Sequence, residues 1–500
     1  MKLSLTKEEF IAAAQTANLI SVSTELTMDL DTPVSIYYKL VGTEMGYIME
    51  SVDTTQQQFG RYSFIGGEPF VRVQVFADKL LISENGLMKS IAGAPHETMK
   101  AYAARFTPTV TEGETLPLVH GGLAGYFTYE TAATFDRVRG VEIGAEELLG
   151  QFMLCRYLVV YDALKNSARL HYIAGLDAGD DAGELYDAIG ERLSAMRTRL
   201  AAPFTPPDTA PSARTSPVDF MARYGTPPED FLRTIDTIKE HIYAGDIFQA
   251  VPSFRFREKI TRPAFLFYRR LRQVNPSPYM FYYNFGEIKL VGASPEMLIK
   301  VSGSTVYTYP IAGTRKRGKT EEEDALLATD LRSDAKECAE HAMLVDLARN
   351  DLGRISVPGT VRVPKLMEVE RFSHVSHMVS SVVGEIAPAY APMDVLRATF
   401  PAGTVSGAPK LRAMEIIHEQ EQEHRGFYAG TVGYMDFRGN MDMCITLRTM
   451  CIVSDDTAII QSGAGIVKDS VPESEYLEIL QKAKALFEVV EEVENNAAFT

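Results

Sequence analysis

Between Tyr428 and Val467 the chain runs through three alternating segments, YAGTVGYMDF, MDMCITLRTMCIV and TAIIQSGAGIV, separated only by RGN and SDD. A period of two sends successive side chains to opposite faces of a strand, and such short polar connections allow only tight reversals. The segments therefore predict three antiparallel strands. The same half of the chain supplies helices to cover them. Phe231, Ile235, Ile238 and Ile242 fall at helical spacing after Thr226-Pro227-Pro228-Glu229, which reads as a capping box, and Gly245 ends the run. A second helix is predicted from Asp334 to Leu352, with Asp334 and Glu337 as its capping pair. A third opens at Ser470-Val471-Pro472-Glu473, again as a capping box, and buries Tyr476, Ile479, Leu480, Ala483 and Phe487. Ile247 to Phe256 reads as a strand with Phe248, Ala250, Phe254 and Phe256 on one face; Pro252 marks an edge or bulge. The expected class is α+β, with large antiparallel sheets packed with helices.

Residues 202–228, including PFTPPDTAPSARTSP, are too rich in proline, serine and threonine to form a core and read as a linker. They separate an N-terminal domain, 1–201, from residues 229–500, where nearly all the candidate chemistry lies. The formal net charge of −16 argues against a nucleic-acid surface. It also means that an anionic substrate would need cations built into its site. No apolar run is long enough for a membrane helix, and Glu8 and Glu9 stand where a signal peptide needs an apolar core, so a cytoplasmic protein is expected. The four cysteines form no CxxC pair and suit a reducing compartment.

Two carboxylate pairs, Glu337 with Glu340 and Glu475 with Glu478, each sit one helical turn apart near a helix start. Acidic residues there commonly do no more than favour the positive helix end. Glu340, however, shares its stripe with Leu344 and Leu347 and so points inward. If the pairs converge, a cation is needed, since like charges 4 Å apart repel by about 4 kcal/mol at an effective dielectric of 20. Oxygen-only ligands suit magnesium. Gly463-Ala464-Gly465, followed by Lys468, is either a tight turn or an amide nest for a carboxylate. Arg448, in the strand ITLRT, either faces outward or grips a substrate carboxylate. His374 and His377 fall on opposite faces of an extended run, which excludes a zinc pattern and leaves one imidazole for proton transfer. Glu296, in ASPEMLI, is a carboxyl in an apolar run, where desolvation would raise its pKa toward general-acid work.

In order along the chain, GDIFQAV, ASPEMLI, PIAGTRKRG, EHAMLVDLARNDLGR, FSHVSHMVSSVVGEI, FPAGTVSGAPKLRAMEII, YAGTVGY, ITLRT and GAGIVKDSVPESEYLE resemble the chorismate-utilising enzymes, over residues 245 to 480. The resemblance implies that Glu340 and Glu478 bind magnesium directly, with Glu337 and Glu475 around them through water. It implies that Gly463, Ala464, Gly465 and Thr314 hold the ring carboxylate of chorismate, with Lys468 counted among the substrate contacts, and that Tyr428 and Arg448 hold the pyruvyl carboxylate. Glu296 would protonate the departing C4 hydroxyl, and His377 would serve the later loss of pyruvate. Water-adding members carry a lysine where this chain has Gln249, and members that attack the ring with a lysine read PIKGT where Ala312 stands here. Both choices point to the branch that forms anthranilate from chorismate and ammonia; the aminodeoxychorismate branch, and less so the salicylate and isochorismate branches, are the alternatives. A separate glutaminase subunit, and so a hetero-oligomer, is implied. Glu50, Ser51 and Arg61, with Pro278, Tyr279, Met280 and Tyr434, resemble the site that senses L-tryptophan, making residues 1–201 the regulatory domain. Coupling to catalysis is expected along one strand, from Tyr434 to Tyr428 at even spacing.

Overall fold

The computed structural model describes the chain except residues 52–60, 111–112, 178, 206–218, 372–374, 455 and 496–500, and the side chains at 314 and 375. The central feature is a closed ring of antiparallel strands. Tyr62–Val75 pairs with Gly46–Glu50, that strand with Tyr279–Asn284, and that with Ile288–Ser294. The chain then runs on into Met297–Ser302, which pairs with Met441–Ile445. The ring continues through Thr431–Asp436, Gly122–Phe127 and Gly150–Asp162 back to Tyr62–Val75. Two junctions, Met280 opposite Glu50 and Gly433 opposite Gly125, join strands from before residue 201 to strands from after residue 229. Within 202–228, residues 206–218 lie outside the described residues, and the expected linker ends earlier than read, since Phe220–Tyr224 forms a short helix with Phe220 buried in the core.

The α+β class holds, with local departures. The middle run of the expected meander is two strands, Met441–Ile445 and Thr449–Val453, because Arg448 takes a φ of +46° and breaks it. The run from Ile247 is likewise split into Gln249–Ala250 and Ser253–Lys259 around Pro252, whose nitrogen cannot donate to a ladder. Phe248 is exposed as a result, while Ala250 and Phe256 are buried as expected.

The helix Glu229–Ala244 ends at Gly245 in the left-handed conformation, but Pro228 occupies its N-cap and Thr226 caps nothing. In the helix Pro472–Glu494 the cap position falls to Val471, one residue past the expected serine. Its Tyr476, Ile479, Leu480, Ala483 and Phe487 are all buried. Each large side chain among these contributes roughly 1.5–3 kcal/mol relative to exposure, which fixes the helix and the carboxylates at its start. It packs on the strand Thr457–Gly463 and on the helix Ala264–Val274. The helix Ala335–Gly353 is capped by Asp334, whose side chain accepts from the Lys336 and Glu337 amides, and packs against the strands Ile311–Lys316 and Val375–Glu385.

Candidate active site

The site forms where two neighbouring strands break at the same level. Ile288–Ser294 pairs with Thr449–Val453, and its continuation Met297–Ser302 pairs with Met441–Ile445. The breaks are Pro295-Glu296 on one chain segment and Thr446 to Arg448 on the other. They are pinned together: Ser294 Oγ donates to the Ile445 carbonyl at 2.6 Å, the Ile445 amide to the Glu296 carbonyl at 3.0 Å, and the Ala293 amide to the Arg448 carbonyl at 3.1 Å. A non-glycine residue with positive φ is uncommon, and here it takes Arg448 out of the ladder, within electrostatic reach of Glu296. Desolvation lowers the Arg448 pKa, and the Glu296 charge opposes that shift.

Glu296 is deeply set although partly open to the cleft. Desolvation raises its carboxyl to about 7, against a hydrogen bond from Thr404 Oγ1 at 2.9 Å and the charges of Lys482 and Arg448. Thr404, in the turn Gly403–Val405, carried no signal that sequence reasoning could use: its segment was part of the resemblance, but no role attached to it. His377 lies opposite Thr314 in the strand register, and its Nδ1 stands 3.1 Å from the Gly313 carbonyl. A carbonyl can only accept, so Nδ1 carries the proton and Nε2 the lone pair. Burial lowers the imidazole pKa, which keeps it neutral. Gly313 sits at the bulge in this ladder with φ +68°, a conformation that favours glycine. His374 lies outside the described residues, as does the Thr314 side chain.

The four predicted carboxylates stand near two helix starts, and across the gap between the helices Glu478 is close enough to repel Glu340. Glu340 is raised by burial first, then by the Glu337 charge, with Glu478 adding to it. Glu475 is raised by burial and by Glu478. Gln249 is buried and donates from Nε2 to Glu340 Oε1 at 3.5 Å, while its Oε1 finds no partner among the described residues. Glu337 also accepts from Arg315 at 3.3 Å, and Glu478 pairs with Lys482 at 2.8 Å. Among the described residues no three His, Cys, Asp or Glu side chains are gathered closely enough to hold a metal ion. The donor set nevertheless fits a hard divalent cation: oxygen only, mutually repelling, and raised in pKa at Glu340 and Glu475.

Tyr428 is buried, and its hydroxyl meets the Gly463 backbone. Gly463 allows this, since a Cβ there would lie 2.6 Å from that oxygen. A Cβ on Gly465 would lie 2.6 Å from Gln249 Nε2. The Ala464 amide, expected to face a ligand, instead donates to the Pro252 carbonyl at 3.3 Å. Lys468 is exposed, its ammonium 5.8 Å from the Tyr243 ring centroid, and is not gathered into the cleft. Lys482, which sequence reasoning missed, donates to the Gly463 carbonyl at 3.0 Å and so joins the glycine segment to Glu478.

A separate cavity of about 300 Å³ is lined by Glu50, Ser51, Pro278, Tyr279, Met280 and Tyr434, together with other residues that include Met49, Lys300 and Asp442. Glu50 is already ion-paired with Arg272 at 2.7 Å. Ser51 Oγ is buried with no hydrogen-bond partner among the described residues. Arg61 does not line the cavity; it forms an ion pair with Asp162 at 2.7 Å on an adjacent strand. The expected strand from Tyr434 to Tyr428 is also interrupted: Thr431–Asp436 begins after Tyr428, with Ala429 at φ +61° between them. A shorter connection exists, because Tyr279 in the cavity wall is the register partner of Ser294, two residues from Glu296.

Comparison with known proteins agrees with this geometry. Residues 53–488 match the model of the chorismate binding enzyme family. Anthranilate synthase component 1 of Acetivibrio thermocellus is 41% identical over 97% of this chain and 98% of its own length. The crystal structure of anthranilate synthase component I from Streptococcus pneumoniae superposes with a TM-score of 0.71 at 36% identity, covering 92% of this chain and 98% of that one. The menaquinone-specific isochorismate synthase from Escherichia coli shares the fold, with a TM-score of 0.70 at 18% identity over 95% of each chain. The chain belongs to the chorismate binding enzymes and, within them, to the anthranilate synthase component 1 family.

Proposed function

We propose that this protein converts chorismate and ammonia to anthranilate, pyruvate and water, as a magnesium-dependent carbon–oxygen lyase of the cytoplasm. The observation that carries the reading is the buried Glu296 carboxyl, raised to about 7 and set beside Arg448 at the paired strand breaks. A carboxyl with that pKa keeps a proton to give near neutral pH. As ammonia forms its bond to C2, both ring double bonds shift by one position and the C4–O bond breaks, and Glu296 delivers the proton that makes the leaving group water. His377, neutral at Nε2, then serves the proton movement that expels pyruvate and aromatises the ring. Arg448 and the Tyr428 hydroxyl suit the pyruvyl carboxylate, and Gly463 and Gly465 with Thr314, but not the Ala464 amide, suit the ring carboxylate. Glu340 and Glu478, with Glu337 and Glu475 around them, would hold magnesium, which would neutralise the ring carboxylate as a Lewis acid. Local cations of this kind answer the repulsion of a dianion by a chain of net charge −16.

Gln249 and Ala312 support the ammonia-using branch, since neither can activate water or attack the ring. Cys155, Cys444 and Cys451 are buried, and burial raises the pKa of all three thiols; Cys338 is part-exposed on a helix. None suits a glutaminase nucleophile, so a partner glutaminase subunit is proposed to supply ammonia. The purified chain should form anthranilate from chorismate and ammonium salts and show no turnover with glutamine. Gln249→Lys should divert part of the flux to a water-addition product. Chromatography of the products decides; aminodeoxychorismate as the main wild-type product would overturn the branch assignment. No helix among the described residues is long and apolar enough to cross a membrane.

The cavity beside Glu50 is proposed to bind L-tryptophan as a feedback inhibitor. Ser51 Oγ and the Glu50–Arg272 pair suit the amino-acid head, and Pro278, Met280 and Tyr434 suit an indole. The coupling would run from Tyr279 through Ser294 to Glu296. A typical coupling of 1–3 kcal/mol means roughly 5–150-fold in chorismate affinity, and chorismate must weaken tryptophan binding equally. Ser51→Phe should abolish inhibition and leave the ammonia-dependent rate close to wild type. Inhibition competitive with chorismate at the active site itself would sink this site assignment.

A further inference from the structure

One buried guanidinium beside the site touches none of the reacting groups. Arg425 lies between the helix Lys410–Gln420 and the strand Thr431–Asp436 and is 3% exposed. A buried arginine is tolerated when its planar fork finds acceptors in several fixed directions. Arg425 Nε donates to Glu421 Oε2 at 2.9 Å. One terminal nitrogen donates to the Val405 carbonyl at 2.8 Å; the other donates to the Val251 carbonyl at 2.5 Å and to Glu421 Oε1 at 2.8 Å. The guanidinium carbon also stands 4.6 Å from the Tyr129 ring centroid and 5.6 Å from that of Tyr428.

Each acceptor belongs to a different piece of the site. Val405 closes the turn whose Thr404 holds Glu296. Val251 lies two residues from Gln249 on the same segment. Glu421 Oε1 also accepts from the Ser253 amide at 2.8 Å and the Ser253 hydroxyl at 2.9 Å, and Ser253 is the register partner of Gly463. From the other side, the buried Glu130 accepts from the Arg425 amide at 2.6 Å and the Gly426 amide at 3.0 Å. An apolar cluster of equal volume would hold the fold no less firmly. The feature an apolar cluster lacks is direction: the fork sets three acceptors, Val251, Val405 and Glu421, at fixed angles around one point.

The geometry points to Arg425, with Glu421, as the positioning unit for the reaction proposed above, on which this inference rests: it holds Thr404, the Gln249 segment, Gly463 and Tyr428 in one arrangement around the substrate. Lysine at position 425 keeps the charge but donates from a single nitrogen, which cannot span Val251, Val405 and both Glu421 oxygens. Arg425→Lys and Glu421→Gln are to be assayed in the full chain with magnesium, chorismate and ammonium. The expected result for Arg425→Lys is a kcat fall of roughly 10- to 100-fold, the scale of a reacting group misplaced by about 1 Å, with a smaller change in KM. The alkaline limb of kcat should also move as the Thr404 contact to Glu296 loosens. Glu421→Gln should give the same pattern more weakly. A kcat loss no greater than the loss of folded fraction by thermal melting, with the pH limb unmoved, overturns the inference. If Arg425→Lys does not fold, Glu421→Gln decides on the same readouts. A wild-type chain that forms no anthranilate would instead overturn the reaction itself.

Discussion

Glu340→Gln should remove turnover while leaving the metal-free protein at least as stable as wild type. The loss should be on the order of 10³-fold, matching the several kcal/mol that a Lewis-acid ion supplies. The stability sign is opposite because Glu340 is raised in the folded state by burial and by Glu337 and Glu478. A carboxyl raised on folding contributes stability that is complete below its unfolded pKa, about 4.3, and lost as pH rises through the folded value. Metal-free wild type should therefore lose stability across that window, and the glutamine variant should lose less, since Glu475 and Glu296, also raised on folding, remain in both. Thermal melts in chelator at pH 4 and pH 7 test this directly. Added magnesium should raise the wild-type melting temperature, by about 2.7 kcal/mol of stability at a hundred times Kd, and leave the variant unmoved. Near-normal turnover of Glu340→Gln in chelator would remove the metal assignment.

Glu296→Gln is expected to lower kcat by roughly 10²- to 10⁴-fold, the range for losing a positioned general acid. In wild type the acid form is needed, so kcat should decline above about pH 7 as Glu296 ionises. That limb should vanish from the residual rate of the variant. Thr404→Val removes a hydrogen bond that lowers the Glu296 pKa, and should move the limb to higher pH. A wild-type profile flat from pH 6 to 9, or a limb unchanged in Glu296→Gln, would assign the proton to another group. Substrate isotope or solvent effects do not enter this test; the pH profile of kcat alone distinguishes the outcomes.

Local periodicity carried much of this into the sequence. The inward stripe of Glu340 with Leu344 placed one carboxylate, and Tyr476, Ile479, Ala483 and Phe487 fixed the helix that carries the other pair. Helix ends were less legible: Pro228 and Val471 took the cap positions because backbone direction at a terminus depends on what the preceding segment packs against. Arg448 was visible as an unusual strand arginine, but its φ of +46° was not, since that conformation is held by the Ser294 and Ala293 contacts from another strand. Arg61 was expected in the cavity because RYSFIG resembles part of the tryptophan-sensing site, yet Asp162, far away in sequence, claims it.

By itself the sequence determined the α+β class, the antiparallel runs, the carboxylate-bearing helices and the apolar setting that raises Glu296, because side-chain period and residue type act over a few neighbouring positions. Only the tertiary structure decided that strands from both halves close into one ring, that the two strand breaks coincide, and that Thr404, Lys482 and Arg425 meet the site. All of these but the Lys482–Gly463 contact rest on pairings between residues more than a hundred positions apart, whose partners are selected by packing and hydrogen-bond direction across the whole core and leave no trace in local spacing.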